Sequence, residues 1–190
     1  IPYVKECTNV PVQRVVDPTL LLTEEDYNEI EAPVQEKEKY LLLYSRRYSS
    51  EMERYAEKLA KENGWKIVEI SLRATNAEKH RMFYEAGVEE FLSLIKYAEF
   101  VVTNSFHGMI FSVQYKKPFV IFSREQCSNK IAELLDLFGL SDRMLVHGDE
   151  KFREEIDYVQ VHERIEKARE DAEKIMAHIA KYNRFTEVLR

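Results

Sequence analysis

The chain has 190 residues, with 28 basic against 34 acidic side chains for a net charge of −6; that length can bury a substantial core, and the balance offers no basic excess for nucleic acid. Its longest apolar runs, such as Leu20 to Leu22 and Pro118 to Phe122, fall far short of the roughly 20 residues of a membrane-spanning helix, and no signal peptide is visible. Cys7 and Cys127 are far apart and the five histidines, at 80, 107, 147, 162 and 178, are scattered, so reduced thiols in a cytoplasmic protein without a metal site are expected.

Ile1 opens the chain without a methionine, and residues 1–16 end at the Asp17-Pro18 break, which reads as a linker or the remnant of a missing N-terminal domain. Thr23-Glu24-Glu25-Asp26 has the form of a capping box and starts a short helix through about Ile30, followed by a polar loop with Pro33. Tyr40 to Tyr44 reads as a strand. Ser49 or Ser50 caps a helix to Glu62, with Met52, Tyr55, Ala56 and Leu59 on one face and Gly64 as its stop. Lys66 to Ser71 is the next strand, and a polar stretch with Arg73, His80 and Arg81 leads to a helix from Val88 to Tyr97. After the strand Phe100 to Thr103 and its helix come the strand Pro118 to Phe122, the helix Asn129 to Phe138 closed by Gly139, and a short strand from Met144 to His147. From about Asp157 to Tyr182 a charge-rich amphipathic helix puts Val161, Ile165, Ala168, Ala172, Ile175 and Ile179 on its buried stripe. Its Lys and Glu residues read as a solvated face with i,i+4 pairs.

This alternation predicts βαβ units, hence an α/β fold: a Rossmann-like parallel sheet with helices on both faces over residues 17–156, and the helix of 157–190 packed on it. There is no Gly-x-Gly-x-x-Gly after a strand and no Walker sequence, which counts against a standard dinucleotide site or a P-loop NTPase.

The densest signal is Phe100-Val101-Val102-Thr103-Asn104-Ser105-Phe106-His107-Gly108-Met109-Ile110-Phe111. A buried-type strand runs directly into a helix that Ser105 or Asn104 can cap, with Phe106, Met109, Ile110 and Val113 at helical spacing. Free N–H groups and the positive dipole end at such a start favour a phosphate or carboxylate, and ligands of open parallel sheets sit outside the strands' carboxyl ends. His107 is the titratable side chain on that turn. The alternative is that Ser105 merely caps the helix and His107 bonds a neighbouring loop. Arg46 and Arg47 follow one predicted strand, Arg73 a second and Arg124 a third, all at carboxyl ends where a cation could assist an anion; each could equally form a surface salt bridge.

Several blocks, read in order, carry a resemblance: Asp17-Pro18-Thr19-Leu20-Leu21-Leu22, Tyr40 to Tyr44, Phe91-Leu92-Ser93-Leu94-Ile95, Thr103-Asn104-Ser105-Phe106-His107-Gly108, Lys117-Pro118-Phe119, Leu134-Leu135, Gly139-Leu140-Ser141-Asp142-Arg143 and Ile156-Asp157-Tyr158-Val159. Together they resemble the C-terminal half of the polysaccharide pyruvyl transferase family. The resemblance implies one half of a GT-B-like two-domain protein that moves pyruvate from phosphoenolpyruvate onto a saccharide acceptor as a cyclic ketal, in cell-surface polysaccharide biosynthesis. It implies His107 as the catalytic histidine, at a donor site formed with Asn104, Ser105, Phe106 and Gly108; the negative charge of that donor calls for fixed cations beside it, and Arg46, Arg47 and Arg124 are the candidates by their place at strand ends. It implies no cofactor beyond the donor substrate, an acceptor held largely by an N-terminal domain outside this chain, and a cytoplasmic place that allows peripheral association with the inner face of the membrane. Without that domain the chain is expected to be inactive. Ser105 departs from the pattern, since several members resemble Arg-Leu-His-Gly or Arg-Leu-His-Ala there. A sugar-nucleotide glycosyltransferase or epimerase of similar architecture and a non-catalytic glycan-assembly module are the alternatives.

Overall fold

The computed structural model describes residues 2–9, 12–71, 75–123, 128–147 and 155–188. After the helix α1 (Pro2–Cys7) and a 3-10 turn at Pro18–Leu20, the elements run α2 (Glu24–Asn28), β1 (Tyr40–Tyr44), α3 (Ser50–Asn63), β2 (Lys66–Ile70), β3 (Arg81–Met82), α4 (Val88–Lys96), β4 (Phe100–Thr103), α5 (Phe106–Gln114), β5 (Phe119–Phe122), α6 (Ser128–Phe138), β6 (Met144–Leu145) and α7 (Tyr158–Val188). The six strands form one sheet in the order β3-β2-β1-β4-β5-β6, and every pairing is parallel. Chain order reverses between β1 and β4. That is the switch point of a doubly wound sheet, where loops leaving adjacent strands diverge to opposite faces and leave a crevice.

Local chemistry fixes the helix limits. Thr23 accepts from the Asp26 N–H while Asp26 accepts from the Thr23 N–H, a reciprocal capping box at α2. Ser49 caps α3 by accepting from the Met52 N–H, and Gly64 ends it with φ +68°, a left-handed conformation that any side chain would strain.

Alternate residues of each strand point to opposite faces, and the core divides accordingly. Tyr40, Leu42, Val68, Val101, Phe119 and Ile121 join residues of α4, α5, α6 and α7 in one cluster. Leu41, Leu43, Phe100, Val102, Val120 and Phe122 join Met52, Ala56 and Ala60 of α3 in the other. With β1, β4 and β5 buried on both sides, each apolar strand side chain contributes roughly 2 kcal/mol, and the sheet is a rigid base for the loops at its carboxyl edge.

Several expectations need correction. The strands predicted at Lys66 to Ser71, Pro118 to Phe122 and Met144 to His147 are trimmed to the bounds above, since pairing stops at Ile70, begins at Phe119 and ends at Leu145. The polar stretch before α4 contains β3, which pairs Arg81 with Val68 and Met82 with Glu69. Here β2's Glu69 is buried and accepts from Ser71 Oγ at 2.7 Å and Asn76 Nδ2 at 3.0 Å, with His80 Nδ1 at 2.6 Å, so these polar side chains converge on a carboxylate. On α7, Val161, Ile165 and Ala172 are buried and Ala168 and Ile175 half-buried, but Ile179 is 53% exposed. Residues 176–181 are all exposed, so the stripe outlasts the surface that α7 packs against. Arg169 ties the buried part down by donating to the carbonyls of Leu20 and Leu22.

Candidate active site at the switch point

The site grows from the last residue of β4. Thr103 is fully buried beside Tyr44, its partner in the parallel register, and its hydroxyl donates to the Tyr44 carbonyl at 2.8 Å while accepting from the Ser105 N–H at 3.0 Å. That pair of bonds turns the chain out of the sheet and into α5. Ser105 then sits at the N-cap in extended conformation and its Oγ accepts from the Gly108 N–H at 3.3 Å. Phe106 N–H and His107 N–H, the first two donors of the helix, have no acceptor among the described residues.

Gly108 explains how close the helix start lies to the sheet. A Cβ there would stand 2.5 Å from Thr103 Oγ1 and 3.0 Å from Tyr44 Cδ1, so only hydrogen fits between helix and strands. An aromatic chain supports this corner from below: Tyr44, Phe91, Phe111 and Tyr27 meet edge to face at ring centroid distances of 5.0, 5.6 and 4.9 Å.

The predicted site residues separate by exposure. Asn104, Ser105, Phe106 and Gly108 are buried, whereas His107 is exposed, its ring edge-on to that of Phe106 at 5.5 Å. Arg46 and Arg47 are exposed on the loop leaving β1, across the switch point from α5, and neither guanidinium has a carboxylate or hydrogen-bond partner among the described residues. Many other surface cations are paired, for instance Arg14 with Glu133 and Lys66 with Glu38. Asn104 joins the two loops: its Oδ1 accepts from the Arg46 N–H at 2.8 Å and its Nδ2 donates to the Arg47 carbonyl at 2.6 Å. Arg124 and Arg73 lie outside the described residues.

Lys130, in the first turn of α6, was absent from the sequence reading. Its Nζ lies 3.6 Å from the Phe106 ring centroid and 3.2 Å from Asp17 Oδ2. Burial works to raise the Asp17 pKa, but hydrogen bonds from Thr19 and the charge of Lys130 outweigh it and hold the carboxyl below its ordinary value. The Asp17-Pro18 break, which reads as a linker in the sequence, is therefore anchored beside the site. A cleft of about 320 Å³ runs from Phe106 between residues 14–17, α6 and α7. Among the described residues no group of three or more His, Cys, Asp or Glu could hold a metal ion, and no helix is long and apolar enough to cross a membrane.

The sequence pattern of the family described as polysaccharide pyruvyl transferase matches residues 3–126, a stretch that includes β1, its arginine loop, β4 and the His107 turn. The chain belongs to the polysaccharide pyruvyl transferase family. No curated protein matches it. Among solved structures, the UDP-GlcNAc 2-epimerase of Methanocaldococcus jannaschii, in complex with UDP-GlcNAc and UDP, is similar at 14% sequence identity and a TM-score of 0.45, over 85% of this chain and 49% of that one. The chain thus spans about half the length of that structure. In this pyruvyl transferase family member, the exposed His107 and the adjacent, exposed Arg46 and Arg47 stand on the segments that leave β4 and β1.

Proposed function

We propose that this chain forms the donor side of a polysaccharide pyruvyl transferase, taking pyruvate from phosphoenolpyruvate and delivering it to two hydroxyls of a saccharide as a cyclic ketal. The observation that carries the reading is the division of labour from Thr103 to Gly108: the flanking residues are buried and committed to the scaffold, and His107 alone is presented to solvent. A helix start with two unused N–H donors contributes about half a positive charge, too little for a donor bearing a carboxylate and a phosphate. Arg46 and Arg47, whose guanidiniums have no partner among the described residues, supply the balance and suit bidentate contact with planar oxyanions. Arginine from the β1 loop also accounts for how Ser105 can stand where other members carry a cation, since serine is the better helix cap.

In the reaction the methylene carbon of the donor takes a proton, the two acceptor oxygens bond to C2, and phosphate leaves. Of the two protons lost from the acceptor hydroxyls, one balances the new methyl group and the other departs with phosphate. His107 carries a proton between acceptor hydroxyl and methylene carbon, a task suited to an imidazole near neutral pH. The helix N–H groups and the arginines hold the carboxylate and phosphate while positive charge develops at C2. The acceptor is held by a further domain facing the exposed carboxyl edge of the sheet, in a GT-B-like arrangement, and the reaction belongs to cytoplasmic assembly of surface polysaccharide. The test is incubation of the native protein with phosphoenolpyruvate and candidate glycans. Pyruvate-dependent mass gain on a glycan with matching phosphate release supports the reading; phosphoenolpyruvate left intact with every glycan refutes it.

A further inference from the structure

Asn104 is 3% exposed, so its side chain faces protein rather than the crevice. Backbone pairing between β1 and β4 ends at Tyr44 and Thr103. One residue further on, the Asn104 carboxamide replaces the ladder by taking the Arg46 N–H on Oδ1 and giving Nδ2–H to the Arg47 carbonyl. The same carbonyl accepts from Ser45 Oγ at 2.8 Å. The peptide groups on either side of the Arg46–Arg47 peptide are therefore fixed from across the switch point, while both arginine side chains are exposed and without a partner among the described residues. A carboxamide carries its acceptor and its donor on separate atoms of one plane, which suits it to this pair of contacts. Aspartate keeps the shape but opposes the Arg47 carbonyl with a second acceptor.

We propose that Asn104 is a positioning residue: it does not touch the donor but sets the backbone from which Arg46 and Arg47 project, so that their guanidiniums meet the anion at the start of α5. This rests on the reading of the site as the phosphoenolpyruvate-binding end of a pyruvyl transferase. A preset backbone reduces the ordering cost of gripping an anion with two long side chains, so the effect of Asn104 falls on donor binding more than on turnover.

The experiment is a mutant cycle in the native protein, with phosphoenolpyruvate as the varied substrate. Asn104→Ala is expected to raise KM for phosphoenolpyruvate about tenfold with a smaller change in kcat, the scale of coupling within one hydrogen-bonded network. On an Arg46→Ala, Arg47→Ala background the same substitution is expected to have no further effect. Asn104→Asp serves the same cycle if the alanine variant does not fold, since it retains the Arg46 contact. Amide hydrogen exchange provides a second readout: the Arg46 N–H is protected in the wild type and loses protection in Asn104→Ala. Equal effects of the Asn104 substitutions with and without the arginines overturn the assignment, because they mark direct contact or general damage. An unprotected Arg46 amide in the wild type also overturns it. A wild type that consumes no phosphoenolpyruvate overturns the functional reading and this assignment together, whereas active wild type with unaltered Asn104 variants overturns only the assignment.

Discussion

Replacing Gly108 with alanine tests how tightly the helix carrying His107 is pressed onto the switch point. The new methyl carbon would lie 2.5 Å from Thr103 Oγ1, 3.2 Å from Thr103 Cβ and 3.0 Å from Tyr44 Cδ1. Thr103 cannot yield cheaply, because its hydroxyl both donates to Tyr44 and accepts from Ser105. Rotating it away forfeits two hydrogen bonds worth about 1 kcal/mol each, and displacing α5 instead incurs an overpacking cost of about 1–3 kcal/mol. Alanine returns about 1 kcal/mol through helix propensity, so the net loss is about 1 kcal/mol by either route, or about 2–4 °C in Tm for a chain of this size. Gly64→Ala is the control: nothing lies within 4 Å of its Cβ, and the left-handed backbone alone costs about 1 kcal/mol. Thermal unfolding by circular dichroism with phosphoenolpyruvate turnover on the same samples should show both variants less stable, and only Gly108→Ala impaired in turnover beyond its unfolded fraction. A Gly108→Ala protein as stable and as active as wild type would refute the close packing of α5 on β1 and β4.

Ser105→Ala removes the α5 cap and should cost about 1 kcal/mol in urea unfolding, with a loss of activity beyond the unfolded fraction because the same cap aims the first turn. Single substitutions Arg46→Ala and Arg47→Ala should raise KM for phosphoenolpyruvate while leaving the urea midpoint unchanged, since neither guanidinium has a partner among the described residues. Glu69 should contribute to acid stability. Burial pushes its pKa up, but the donors from His80, Asn76 and Ser71 outweigh this and leave it below the ordinary value, so its contribution is complete above the unfolded carboxylate pKa of about 4.3 and is lost as pH falls through the lower folded value. Urea unfolding from about pH 6 to pH 3 should therefore show a shallower loss of stability in Glu69→Gln than in wild type; identical acid limbs would exclude Glu69 as a source.

The residues that were legible in the sequence are those whose structure is dictated locally. Tyr40–Tyr44 and Phe100–Thr103 are buried on both faces, and such strands announce themselves as unbroken apolar runs. Ser105 precedes a helical apolar pattern and proves to be its cap. What escaped depends on partners distant in the chain. β3 has two residues, one of them charged and exposed, and exists through its register with Val68 and Glu69. The Asn104 clamp reaches 57 and 58 residues back, and Lys130 meets Phe106 through the packing of α6 beside α5. Periodicity placed Ile179 on a buried stripe, but it cannot say where the supporting surface ends.

The most direct test of the account is pyruvyl transfer by the native protein with and without His107. The wild type should consume phosphoenolpyruvate, release phosphate and add pyruvate to a glycan, and His107→Ala, with an unchanged circular dichroism spectrum, should transfer at least about a hundredfold more slowly. Equal transfer by the two proteins would contradict the assignment of His107, and a wild type that leaves phosphoenolpyruvate untouched would contradict the function.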